Sequence, residues 1–132
     1  MISVSLPDPE RELVALLTTA LGAGIVSTDF PSTTLTGTNR KVQVDLEGGS
    51  AADYPVTERA QVRVTCHRAP GKRTDVKADA ATVLAHLVSS RRANVAGIFP
   101  LGGRSAVSVD PDTGNVMCWV LVRVDLKATR TS

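Results

Sequence analysis

The run DPDTGN contains the residues of this chain that come closest to a metal-binding motif. Asp110, Asp112 and Gly114 are spaced like the first residues of a calcium-binding loop. That loop requires Gly at its sixth position and a bidentate Glu at its twelfth, where this chain has Asn115 and Leu121. The run therefore predicts a hairpin turn.

Two glycine-containing runs resemble catalytic loops only in part. PGKRT has Gly71, Lys72 and Thr74 but lacks the upstream Gly and the adjacent Lys and Thr of a phosphate-binding loop. LGGRS lacks the Gly that follows Ser105 by two residues in a nucleophile elbow. Both runs predict solvated turns.

The histidines and cysteines do not form a catalytic or metal-binding set. Cys66 and His67 are neighbours on a predicted strand, so their side chains point to opposite faces and cannot act as nucleophile and base. His67 shares a face with Arg63 and Thr65, which predicts an exposed side chain. The cysteines, Cys66 and Cys118, are predicted to be free buried thiols. We therefore predict no catalytic residue, no cofactor-binding residue and no metal ligand, and a protein that is not an enzyme.

Two amphipathic helices are predicted. The first begins with Asp8 as its cap and Pro9 at its first position, and Gly22 ends it. Its apolar stripe comprises Leu13, Leu16, Leu17, Ala20 and Leu21. The stripe of the second helix comprises Val76, Ala80, Val83, Leu84, Leu87 and Val88.

Strict alternation of apolar and polar residues predicts two strands, at residues 41–47 and 60–67, each with one face in water. The connection between them, EGGSAADYPVT, is rich in small residues and is predicted to be a flexible loop over about residues 48–55. The C-terminal tail, about residues 128–132, is also predicted to be flexible.

The last apolar run, NVMCWVLVRVDL, predicts a strand with two apolar faces. Its even-numbered residues from Val116 to Leu126 are apolar throughout, and Met117, Trp119 and Leu121 make the first half of the other face apolar as well. Two helices cover one face of a sheet well but not both. The second apolar face therefore indicates contact with a partner subunit.

These elements predict one α+β domain over residues 1–132, with a mostly antiparallel sheet of four to five strands and two helices packed on one face. The 15 basic and 13 acidic residues nearly balance, which argues against a protein that binds nucleic acid mainly by neutralising phosphates. Neither a signal peptide nor an apolar run of membrane-spanning length is predicted, so we expect no membrane contact and a protein that is made and used in the cytoplasm.

The order of these elements resembles the tail terminator, or tail-completion, proteins of long-tailed bacteriophages, particularly those of actinobacterial hosts. The resemblance rests on PDPERELVALLTTALG as the opening helix and STDFP after it. KVQVDLEGGSAADYPVTERAQVRVTCHRA resembles the family's Gly-Gly hairpin, and DVKADAATVLAHLVSS its central helix. The strand pair bounded by DPDTGN is similar to its closing hairpin.

The resemblance implies a structural virion protein at the junction of head and tail. Such subunits form a hexameric ring on the last ring of the tail-tube protein, stop tail polymerisation and present a surface to the head-completion or neck protein. The genome passes through the bore without sequence-specific binding. The residues predicted to contact a neighbouring subunit or the tube are Asp45, Glu47, Gly48, Gly49, Tyr54, Arg63, Trp119 and Arg123.

Two alternatives remain open at this stage. One is another neck or head–tail connector component, which would use the same ring principle at a different position. The other is a small nucleic-acid-binding module with Arg63, Arg68, Lys72 and Arg73 as its basic patch. The scarcity of aromatic residues, 3% of the chain, argues against stacking of single-stranded bases.

Overall fold

The computed structural model describes residues 3–5, 7–51, 56–127 and 129–131. Its helices are α1 (Pro9–Leu21) and α2 (Arg73–Ser89). Its strands are β1 (Ser3–Ser5), β2 (Val26–Ser27), β3 (Arg40–Ala51), β4 (Val56–Arg68), β5 (Val95–Pro100), β6 (Ser108–Val109), β7 (Val116–Lys127) and β8 (Thr129–Thr131).

The predicted α+β class is confirmed, but the sheet is mixed. Its strand order is β2-β3-β4-β7-β5, with β6 also paired to β7. The β2–β3 pair is parallel, and the other pairs are antiparallel. The sheet has six strands where four to five were expected, because the short segments β2 and β6 both pair. The remaining strands, β1 and β8, form a separate antiparallel pair, so residues 129–131 of the predicted flexible tail belong to a strand.

Both helices pack on one face of the sheet, as predicted. Asp8 caps α1 by accepting a hydrogen bond from the backbone N–H of Glu10 at 3.0 Å, and Gly22 ends the helix with φ +109°. Leu13 and Leu17 of α1 and Val83 of α2 are buried in the core that the sheet completes. None of the helices in the described part of the chain is long and apolar enough to cross a membrane.

The alternation predicted for the last strand is confirmed. Its even-numbered residues, Val116, Cys118, Val120, Val122, Val124 and Leu126, are all buried against the helices, whereas Met117, Trp119 and Leu121 are half-buried on the other side. Leu46 departs from the pattern of β3 and is 42% exposed. A bulge between Leu46 and Gly48 ends the strict alternation there.

The predicted loop at residues 48–55 is wrong in its first half. Residues 48–51 continue β3 and pair with residues 58–61 of β4. Glycine and alanine are poor strand formers on their own, but the long strand β4 supplies the hydrogen-bonding partner. Residues 52–55, including Tyr54, lie outside the described residues, and their flexibility remains a prediction.

Candidate interaction face

The sheet face opposite the helices, called the outer face below, carries the polar and aromatic side chains of β3, β4 and β7. Asp45 of β3 pairs in register with Arg63 of β4, which pairs with Leu121 of β7. This face comprises Asp45, Glu47, Gly48, Arg59, Gln61, Arg63, Trp119, Leu121, Arg123 and Asp125. The structure therefore brings together most of the predicted contact residues, although they come from three strands.

Arg63 is held by a carboxylate and an aromatic ring at the same time. Its Nε lies 2.7 Å from Oε1 of Glu47, and its guanidinium carbon lies 5.1 Å from the centre of the Trp119 ring. The backbone N–H of Trp119 donates to Oγ of Ser105 at 2.9 Å, which fixes the strand beneath the ring. The Arg63 side chain is nevertheless 40% exposed, so it can contact a partner while its orientation is restricted.

Arg123 repeats this arrangement on β7. Its Nε and one terminal nitrogen donate to the two carboxylate oxygens of Asp125 at 2.9 and 3.2 Å, and its guanidinium carbon lies 4.5 Å from the centre of the Phe99 ring. A Cβ at Gly97 would lie 2.8 Å from the Phe99 ring, so the glycine makes room for it. Arg59 approaches the same carboxylate at 3.9 Å. Two guanidinium groups thus share Asp125, which is buried.

A shallow depression of about 440 Å³ opens beside these arginines. Gly48 pairs in register with Gln61, which pairs with Arg123, and the missing side chain of Gly48 leaves the floor of the depression low. The depression is lined by Glu47, Gly48, Gly49, Ser50, Arg59, Gln61, Leu101 and Arg123. The predicted residues Gly48 and Gly49 therefore belong to this surface as strand residues. Tyr54 cannot be placed, because it lies outside the described residues.

The side chains of the outer face are suited to contact with another protein. The face presents oriented guanidinium groups and half-buried aromatic rings, which are residue types enriched at the centre of protein–protein interfaces, and carboxylates that hold the guanidinium groups in place. Across the described residues, no group of three or more His, Cys, Asp or Glu side chains is placed to hold a metal ion. The two cysteines are free and buried, as predicted, and burial raises the pKa of the Cys66 thiol well above its usual range.

The prediction that His67 is exposed is wrong. Its side chain does point to the outer face, but it is fully buried, and Phe30 from residues 28–39 packs edge-to-face against the imidazole at 5.0 Å. The alternation of β4 correctly identified the face. It carried no information about a loop that returns over it.

Phe99 and Arg59 were missed as functional candidates. The signal for Phe99 was its position two residues after Gly97 in the apolar run VAGIF, which is typical of an edge strand that presents one ring outward. The signal for Arg59 was its spacing of two and four residues from Gln61 and Arg63. Because the strand was predicted to begin at residue 60, Arg59 was left outside this alternation.

The basic patch of the nucleic-acid alternative is not assembled. Arg68 points to the helix-covered side, where it donates to both oxygens of Asp79, at 2.5 and 2.9 Å. Arg63 lies on the outer face, while Lys72 and Arg73 stand at the start of α2. The four side chains therefore do not share one surface.

No protein-family model matches this chain, and the search among curated proteins found no match.

Proposed function

We propose that this chain is a structural subunit that forms a ring through its outer face and acts as a tail terminator at the head–tail junction of a long-tailed bacteriophage. The observation that carries the proposal is the uneven covering of the sheet. Both helices pack on one face, while the other presents half-buried Met117, Trp119 and Leu121 beside oriented arginines. Such a face is suited to a second subunit.

The outer face is prepared for a specific partner. Arg63 and Arg123 are each restrained by one carboxylate and one ring, so less side-chain entropy is lost when they bind. Their charges are largely balanced by Glu47 and Asp125, which favours register and partner choice over strong general attraction. A face that meets a different surface on the next subunit gives a head-to-tail interface, and such interfaces close into rings when the rotation allows it.

The ring is tested with a paired substitution on this face. Arg63→Gln combined with Arg123→Gln removes both guanidinium groups without placing a new carboxylate beside Glu47 or Asp125. We expect the wild-type protein to run as a closed oligomer in light scattering. The double variant should stay folded by circular dichroism but dissociate at least tenfold more readily.

The matched control is Arg73→Gln combined with Lys77→Gln, which removes two exposed charges from α2. This control should assemble like the wild type. A wild-type protein that remains monomeric at 100 µM (roughly the concentration at which weak interfaces become populated) would end the ring proposal. If the outer-face double variant assembles normally, the outer face is not the interface between subunits.

The terminator role has a separate test. Tubes polymerised from the tail-tube protein of the same phage should stop growing when this chain is added, and electron microscopy should show one ring at a tube end. Tubes of unchanged length would favour the alternative, in which the chain is another neck or connector component.

A further inference from the structure

Residues 28–39 form a strap across one end of the sheet, between β2 and β3. Asn115 holds its middle by two hydrogen bonds, because its Oδ1 accepts from the N–H of Leu35 at 2.8 Å and its Nδ2 donates to the carbonyl of Thr33 at 3.0 Å. The hydroxyl of Thr34 donates to the carbonyl of Thr113 at 2.8 Å. The strap is therefore attached to the turn before β7, on the far side of β3 and β4.

Beneath the strap lies a polar side chain without a polar partner. His67 is fully buried, and neither of its ring nitrogens has a hydrogen-bond partner among the described residues. Its ring contact with Phe30 belongs to the strap, and Phe30 is itself 49% exposed. A half-exposed aromatic ring of the strap therefore contacts the buried imidazole.

Among the described residues, the carboxylate that acts on His67 already accepts two other hydrogen bonds. Asp110, in the turn that anchors the strap, uses Oδ2 to accept from the Thr113 hydroxyl at 2.7 Å and Oδ1 to accept from the N–H of Asp112 at 3.1 Å. Lys41 pairs with His67 in register on β3 and directs its ammonium group to the carbonyl of Gly24. From the strap, Asp29 is the acidic residue next to Phe30 in the chain.

We infer that residues 28–39 are an acid-released strap, which opens when His67 takes up a proton. A charged imidazole in this position is shielded from bulk solvent and has no hydrogen-bonded carboxylate among the described residues, so its burial is costly. Lifting Phe30 exposes the ring to water, and Leu35 and Thr33 must then leave Asn115. The opened strap uncovers the end of the outer face around His67. This inference does not depend on ring formation.

The pKa of the His67 imidazole also indicates that acid favours the open strap. Burial, the largest cause, lowers the pKa of His67 to about 4 from an ordinary value of 6.5, and the Asp110 carboxylate acts against that shift. A ring released into water regains a pKa near its ordinary value. Protonation between these two pH values therefore favours the open strap.

The test follows the amide proton of Leu35 by hydrogen exchange in NMR between pH 7 and 4.5, corrected for the intrinsic exchange rate. We expect its protection to fall roughly fiftyfold in the wild-type protein, which is the linkage effect of the two pKa values at pH 4.5. His67→Leu places an apolar side chain that cannot be protonated under Phe30, so the protection of the Leu35 amide should stay constant in this variant. The amide of Gly22, which closes α1 on the carbonyl of Thr18, serves as the internal reference and should stay protected in both.

A second measurement covers the case in which His67→Leu does not fold. His86→Gln leaves His67 as the one histidine, so its ring signals can be followed directly. They should titrate together with the loss of Leu35 protection. Three outcomes would overturn the inference: constant Leu35 protection in the wild type, an equal loss in His67→Leu, or a simultaneous loss at Gly22, which would indicate global unfolding.

Discussion

Ion pairs in this chain have different effects on stability because their surroundings differ. The Arg63 and Glu47 side chains are 40% and 30% exposed, so water and salt weaken their contact, and its stabilising effect is about 1 kcal/mol or less. Arg68 and Asp79 form a pair whose side chains are only 16% and 10% exposed. That pair joins the end of β4 to α2, and a terminal nitrogen of Arg68 also donates to the carbonyl of Thr38 at 3.0 Å.

At the residue scale we expect Arg68→Met to lower the free energy of unfolding by about 2 kcal/mol, because it leaves the Asp79 carboxylate without its bidentate partner. The loss is limited because Arg40 lies 3.7 Å from the same carboxylate. Combining Arg68→Met with Asp79→Leu should recover most of the loss, since no buried charge is then left. Urea denaturation of the single and double variants measures both. A double variant less stable than Arg68→Met would contradict this account.

At the element scale the two helices begin in different ways. The Asp8 side chain caps α1, whereas α2 begins at Lys72 without a side-chain cap, and Arg73 follows in its first turn. The positive charges at this end oppose the helix dipole, whereas Asp75 in the same turn interacts favourably with it. Helix α2 is therefore kept in place by the burial of Val76, Ala80, Val83 and Leu87 and by the Arg68–Asp79 pair.

Opposite effects are expected from changing the two caps. Asp8→Ala should lower the free energy of unfolding by about 1 kcal/mol, because the N–H of Glu10 loses its acceptor. Lys72→Asp should raise it by about 0.5–1 kcal/mol, because it adds a cap and a favourable charge. Thermal unfolding of both variants and the wild type measures these changes through the melting temperature. If both substitutions lower the melting temperature, the capping argument fails at α2.

The elements that could be predicted from the sequence are those specified by local patterns. Helix α1 has its cap, its stripe and its terminating glycine in one continuous run, and β7 has a strict alternation. The strap could not be predicted in this way, because its position depends on Asn115, about 80 residues further along the chain. The continuation of β3 through Gly48 and Gly49 likewise depends on pairing with β4, which no local preference of glycine indicates. The outer face could be predicted in part. The alternation of its strands is visible in the sequence, but the aromatic rings that contact Arg63 and Arg123 come from neighbouring strands.

At the scale of the whole molecule, charged groups couple the fold to pH. Glu12 of α1 is buried and accepts from Nε of Arg92 at 2.7 Å and from Nδ2 of Asn94 at 3.2 Å, which ties α1 to the segment before β5. Burial alone would raise the pKa of Glu12, but the hydrogen bonds from Arg92 and Asn94 outweigh it and lower the pKa. Glu12 therefore stabilises the fold at pH values above its ordinary value of 4.5, and this contribution is lost as the pH falls through the lowered pKa.

We expect acid to destabilise the molecule in two steps, because the contribution of His67 begins to decline near pH 6.5 and that of Glu12 only near pH 4.5. The unfolded chain takes up a proton at His67 near pH 6.5 and the folded chain only near pH 4, so the contribution of the neutral ring is complete above pH 6.5 and declines down to pH 4. The decline amounts to about 3 kcal/mol at most, and to less if the strap opens before the core unfolds. Urea denaturation at a series of pH values should show no decline in His67→Leu over this range. In Glu12→Gln, the free energy of unfolding should still decline between pH 6.5 and 4, but the further decline below about pH 4.5 should be absent. If the free energy of unfolding depends on pH in the same way in the wild type, His67→Leu and Glu12→Gln, the assignment of the two steps is wrong.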